Sequence, residues 1–147
     1  MRGRQLLRIL VHVSRFGLAA LFLFAAGAKL FTLHGFAANL SNLVRESWVW
    51  PAAFAVIAAE LAASVLLIIP RTARLGALVS AALLLGFAGY ALYYVYVLQG
   101  EPLECGCFGR LIGSQLGVST ALRNLALLLP CALVLFGYRR PRPTIAR

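Results

Sequence analysis

Four continuous apolar runs, each long enough to cross a bilayer, leave this chain few ways to fold. A hydrocarbon core of about 30 Å takes roughly 20 helical residues. Runs of that length fall at about 10–33, 50–69, 75–98 and 118–138. They do not alternate, which excludes a transmembrane barrel. Within lipid their backbone groups find no water, so helices must satisfy them internally. Pro51 suits the first turn of the second helix, Pro70 with Arg71 and Arg74 makes a short stop, and Gly100 with Pro102 ends the third. Hydrophobic residues make up 62% of the 147 and charged residues 12%. Soluble domains sit near 45–50% and about 25%. A soluble fold, a disordered tail and a small disulfide-stapled secreted domain are excluded. The expectation is an all-α integral membrane protein, one domain over 1–147 forming a bundle of four transmembrane helices.

The net charge of +10, from 14 Lys+Arg against 4 Asp+Glu, would usually suggest nucleic acid. Placement argues otherwise, because the basic residues gather at the ends of the apolar runs. Arg2, Arg4, Arg8 and Arg15 precede the first span, Arg71 and Arg74 follow the second, and Arg139, Arg140, Arg142 and Arg147 follow the fourth. The other two connections hold only Arg45 and Arg110, with Glu46, Glu101 and Glu104. By the positive-inside rule the basic side is cytoplasmic. Both termini then lie inside, in a plasma (inner) membrane, and the partner is the lipid bilayer, not nucleic acid. The basic start and the small residues Ala25, Ala26, Gly27 and Ala28 also resemble a secretory signal. We read the segment as a retained anchor.

The two outer connections differ in kind. Within 34–49, Phe36, Leu40 and Leu43 stand at helical spacing and predict a short interfacial helix. Trp48 and Trp50, with Tyr90, Tyr93, Tyr94 and Tyr96, mark the outer headgroup level. Residues 99–117 have no such period and carry Gly100, Gly106, Gly109, Gly113 and Gly117. Chemistry is expected there, because this segment also holds Cys105-Gly106-Cys107.

Two thiols one residue apart close too small a ring to staple a fold. Bridging them strains the usual geometry, and strained, exposed disulfides are the labile or catalytic ones. On the outer face a disulfide persists. The plain alternative is an inert disulfide or two free thiols. A structural zinc needs four ligands, and His12 and His34 lie in distant segments, so no metal is expected. Cys131, beside Pro130, falls roughly 20 Å below the outer surface and reads as a small buried hydrophobe.

Three ionisable residues lie inside the spans. Glu60 is roughly 15 Å deep, while Lys29 and Arg123 are roughly 7 Å below the outer surface. The two bases either snorkel to the headgroups or turn inward toward Glu60. Glu60 cannot snorkel and must be protonated, paired or facing a polar cavity. Ala55, Ala59, Ala62 and Ala63, with Gly86 and Gly89, supply small residues for close helix contact.

Cys105-Gly106-Cys107-Phe108-Gly109, followed by a span containing Arg123-Asn124, resembles the MauE branch of the MauE/DoxX membrane proteins. So do Gly27-Ala28-Lys29-Leu30 and Glu60-Leu61. The resemblance covers roughly 16–137, and the cysteine motif is its specific part. It implies four spans and a redox-associated role in methylamine utilisation. By that resemblance the role is to help a separate thioredoxin-like extracytoplasmic partner, MauD, mature a disulfide-rich dehydrogenase subunit, and DoxX relatives are linked to quinone.

Three functions compete. In the leading one, Cys105 and Cys107 exchange disulfides with a thioredoxin-like partner and an extracytoplasmic client, as a thiol–disulfide oxidoreductase or its redox subunit. Arg110 nearby would favour a thiolate. The second is a non-enzymatic assembly factor whose cysteines only shape a loop. The third is a small subunit of a quinone-linked oxidoreductase, with Lys29, Glu60 and Arg123 lining the quinone cavity. No other cofactor follows from the residues.

Overall fold

The computed structural model describes residues 2–99 and 118–138, and every regular element among them is a helix. These are α1 (Arg2–Phe31), α2 (Leu33–Leu40), α3 (Glu46–Ile68), α4 (Ala73–Tyr96), α5 (Val118–Ala126) and α6 (Leu128–Gly137). Four stretches are long and apolar enough to cross a membrane: Gln5–Phe31, Glu46–Ile68, Ala73–Tyr96 and Val118–Gly137. The first three begin earlier than their apolar runs, because the helix continues into the flanks. Pro51 therefore lies inside α3 and not in its first turn.

The fourth span is broken at Leu127. Pro130 has no N–H for the carbonyl of Ala126, and its ring crowds that oxygen. The ladder reaches only as far as Leu127 N–H donating to Arg123 O at 3.1 Å, and α6 starts afresh at Leu128.

The bundle closes because α1 packs on α3 and α6, α3 on α4, and α4 on α5 and α6. On α1 the buried side chains Val11, Leu18, Ala19, Phe22, Ala25 and Ala26 recur at three- and four-residue spacing. Facing outward are large apolar groups such as Phe24, Leu85, Leu129 and Phe136, the polarity expected where the solvent is lipid. One end of the bundle gathers the start of α1, the turn with Arg71 and Arg74, and the end of α6. We call it the basic end.

Close helix contact is made by other small residues than expected. A Cβ on Gly76 would sit 2.7 Å from Leu67 N, so α4 nearly touches the α3 backbone there. Around Gly86 and Gly89 nothing lies within 4 Å. Ala55 and Ala62 face outward, and only Ala63 of that stripe is fully buried. The approach at Gly76 depends on the tight 69–72 turn, where Thr72 Oγ1 donates to Leu66 O at 3.0 Å.

The short helix forms over a narrower range than the spacing suggests. Phe36, Ala37 and Leu40 of α2 pack against Val49 and Ala53 of α3. Leu43 falls beyond the helix and is half exposed. Trp48 and Trp50 are exposed as an interfacial belt requires, but the four tyrosines divide by helix phase. Tyr93 and Tyr96 face outward, Tyr94 is buried, and Tyr90 donates from its hydroxyl to Asn39 O at 2.7 Å.

Candidate functional site

Lys29 turns inward. Its Nζ lies 2.6 Å from Glu60 Oε1, and both side chains are 0% exposed. The reason is directional, since helix side chains lean toward the N-terminus of their own helix. The antiparallel pairing of α1 and α3 makes Lys29 lean toward the basic end and Glu60 away from it, so the two meet. Snorkelling to the nearer headgroups would need the opposite lean.

Helices α2, α4 and α5 contribute to the surroundings of this pair. Phe36 of α2 and Phe87 of α4 hold their rings 5.4 Å and 5.1 Å from Lys29 Nζ, within cation–π range. From α5 comes Asn124, 2% exposed. Arg123, the neighbouring residue, is half-buried and has its Nε and Nη2 shielded from solvent.

Phe87 also separates two cavities. On one side is a small space lined by Glu60, Asn124, Phe22, Leu84 and Phe87. On the other is an apolar cavity of about 250 Å³ between α2, α3 and α4, lined by Phe36, Leu40, Val56, Leu83, Gly86 and Phe87. Gly86 thus borders an opening and joins no helices.

A second buried cation escaped sequence reasoning. Arg15, grouped above with the basic flank, lies within α1 and is 3% exposed. Its guanidinium donates to the carbonyls of Leu67 and Ile68 at the end of α3, and Nη1 donates to Tyr138 Oη at 3.2 Å. Arg74 Nε donates to Tyr138 O at 3.0 Å, closing the same corner. Carbonyls at a helix C-terminus carry partial negative charge, so Arg15 is met by a dipole. The available signal was register. Arg15 stands in the same three-and-four pattern as Leu18, Phe22 and Lys29.

Cys131 is buried, 1% exposed, in the apolar cluster with Val11, Leu18 and Val134. Cys105, Cys107 and Arg110 lie outside the described residues. Among the described residues, no group of three His, Cys, Asp or Glu side chains could hold a metal. His12 stands edge-on to Tyr138 and His34 edge-on to Trp50.

Four apolar spans around a buried ion pair define a multi-pass integral membrane protein. The chain belongs to the MauE family, described as methylamine utilisation protein MauE, whose sequence model matches residues 7–137. The match runs through all four spans and the cysteine motif. Comparison with curated proteins and with solved structures gave no match.

Proposed function

We propose that the chain is a membrane thiol–disulfide redox protein that helps an extracytoplasmic client mature through Cys105-Gly106-Cys107. The observation that carries this reading is where the flanking helices end. α4 finishes and α5 begins at the end of the bundle remote from Arg15, Arg74 and Tyr138, as the packing of Ala121 against Ala88, Ala91 and Tyr94 shows. With the basic end cytoplasmic, the connection bearing both cysteines is extracytoplasmic, where disulfides persist.

In the exchange, a thiolate of the reduced pair attacks the disulfide of the oxidised pair and expels one sulfur as thiolate. The second thiol of the attacking pair then displaces the mixed disulfide. Two electrons and two protons pass from dithiol to disulfide. A thioredoxin-like protein is the partner, and Arg110 favours the thiolate state of the nearby cysteines.

The test is Cys105→Ser and Cys107→Ser, made singly. Each should abolish client maturation while the protein still accumulates in the membrane, and one should trap a mixed disulfide with a secreted partner. Normal maturation by the double variant would leave the assembly-factor reading in place. A membrane-impermeant thiol reagent should label the pair in intact, reduced cells, and labelling only after permeabilisation would reverse the orientation.

One observation favours a second reading, a quinone-linked subunit. The 250 Å³ cavity is apolar, lies between spans, and shares Phe36 and Phe87 with the surroundings of Lys29. A lipid-soluble ring would fit its chemistry. Bound quinone in purified protein, lost on Gly86→Trp, would support this reading.

A further inference from the structure

The Lys29–Glu60 pair satisfies only half of the carboxylate. Glu60 Oε2 is buried and has no hydrogen-bond partner among the described residues. The same is true of Asn124 Nδ2, on a helix that packs chiefly against α4. Both side chains line one small cavity, whose remaining wall is Leu21, Phe22, Ala25, Leu84, Phe87 and Leu127. Its volume of about 10 Å³ is on the order of that needed for a single water. A buried acceptor and a buried donor left open into the same space are expensive separately and complementary together.

We infer that this cavity is a binding site for one structural water, which donates to Glu60 Oε2 and accepts from Asn124 Nδ2. The donor set selects the occupant. An amide N–H cannot ligate a cation, and the Lys29 ammonium beside Glu60 repels one. A carboxylate oxygen repels an anion. An apolar molecule would leave both polar atoms unanswered. Only a small neutral group that both donates and accepts serves the two atoms at once. The other side chains of the wall are apolar, so the water is held by these two residues.

The water would also tie elements together. Lys29 and Glu60 join α1 to α3, and the bridge adds α5 to them through Asn124. Since α5 follows directly on the connection carrying Cys105 and Cys107, the bridge fixes the helix into which that connection leads. This role is independent of whether the cysteines exchange disulfides.

The sign of one substitution tests the inference. Asn124→Leu keeps the branching and heavy-atom count of the side chain and removes its donor. With the water in place, the full-length variant in detergent should melt below wild type, because the bridge is lost. With a dry cavity, the same change removes an unsatisfied donor and should raise the melting temperature, which would overturn the inference. The substitution is repeated in the Lys29→Met/Glu60→Leu background, where the acceptor is gone. There Asn124→Leu should be neutral or stabilising, and an equal loss in both backgrounds would show that Asn124 acts elsewhere. If Asn124→Leu alone fails to fold, an experimental structure of the wild type decides. Water density within hydrogen-bond distance of both atoms supports the site, and its absence with both side chains ordered rejects it.

Discussion

Two cations are buried on the same face of α1, and the bundle neutralises them by different means. Lys29 meets a carboxylate from α3, flanked by two aromatic rings. Arg15 meets the backbone carbonyls that end α3 and a tyrosine hydroxyl. One pairing joins side chain to side chain, and the other joins a side chain to a helix terminus. The geometry suits each residue. Arginine spreads several donors across a planar fork and can serve two carbonyls and a phenol at once. Lysine presents a compact charge suited to one carboxylate oxygen.

The difference predicts how each site fails. Glu60→Leu should have the largest effect, about 3–5 kcal/mol lost, because it strands the Lys29 charge in an apolar interior. Thermal unfolding in detergent measures it. Glu60→Gln should retain more stability, since its amide oxygen still accepts from Nζ. If the two variants prove equal, hydrogen bonding plays no part at this position.

Arg15→Met should cost less, about 1–3 kcal/mol, because it leaves carbonyls and a hydroxyl unpaired but no charge. A loss as large as that of Glu60→Leu would break the distinction between the two sites. Gly76→Ala should cost a similar amount, since its Cβ would meet the Leu67 backbone at 2.7 Å and force a shift. Leu67 O is also an acceptor for Arg15, so Gly76→Ala and Arg15→Met should be non-additive. Simple additivity in a double-mutant cycle would mean that the two contacts are independent.

The smallest effect is expected from replacing both members of the ion pair. Lys29→Met/Glu60→Leu should come close to wild-type stability, because well-packed apolar groups substitute for a buried pair at little cost. No such rescue exists for Arg15, whose principal partners are peptide groups that substitution cannot remove. A double variant as unstable as Glu60→Leu would show that the pair does more than neutralise itself.

The same contrast explains what was legible in the sequence. Charges inside apolar runs are visible, and Glu60 required a partner or a polar cavity wherever it lay. Lys29 was open between two fates until the antiparallel lean of the side chains decided it. Arg15 was hidden by its surroundings, because it follows three other arginines and its carbonyl partners have no sequence signature. The four spans were legible from length and hydropathy. The break at Leu127 follows from Pro130, whereas the contact at Gly76 depends on how tightly residues 69–72 turn. Short helix α2 was legible in position but not in extent, since burial against α3 ends it before Leu43.

Arg15 also bears on the order in which the chain is made. Its acceptors at Leu67 and Ile68 come 52 and 53 residues later, and Tyr138 comes 123 residues later. While α1 is the only helix in the membrane, its arginine has none of these partners, and a lone arginine in hydrocarbon is costly. A nascent α1 is therefore expected to keep Arg15 at the membrane edge, within reach of water. The end of α3 supplies the first two acceptors, and Tyr138 supplies the third. The first helix to be synthesised thus gains the last partner of its buried arginine only when Tyr138, 123 residues further on, is in place.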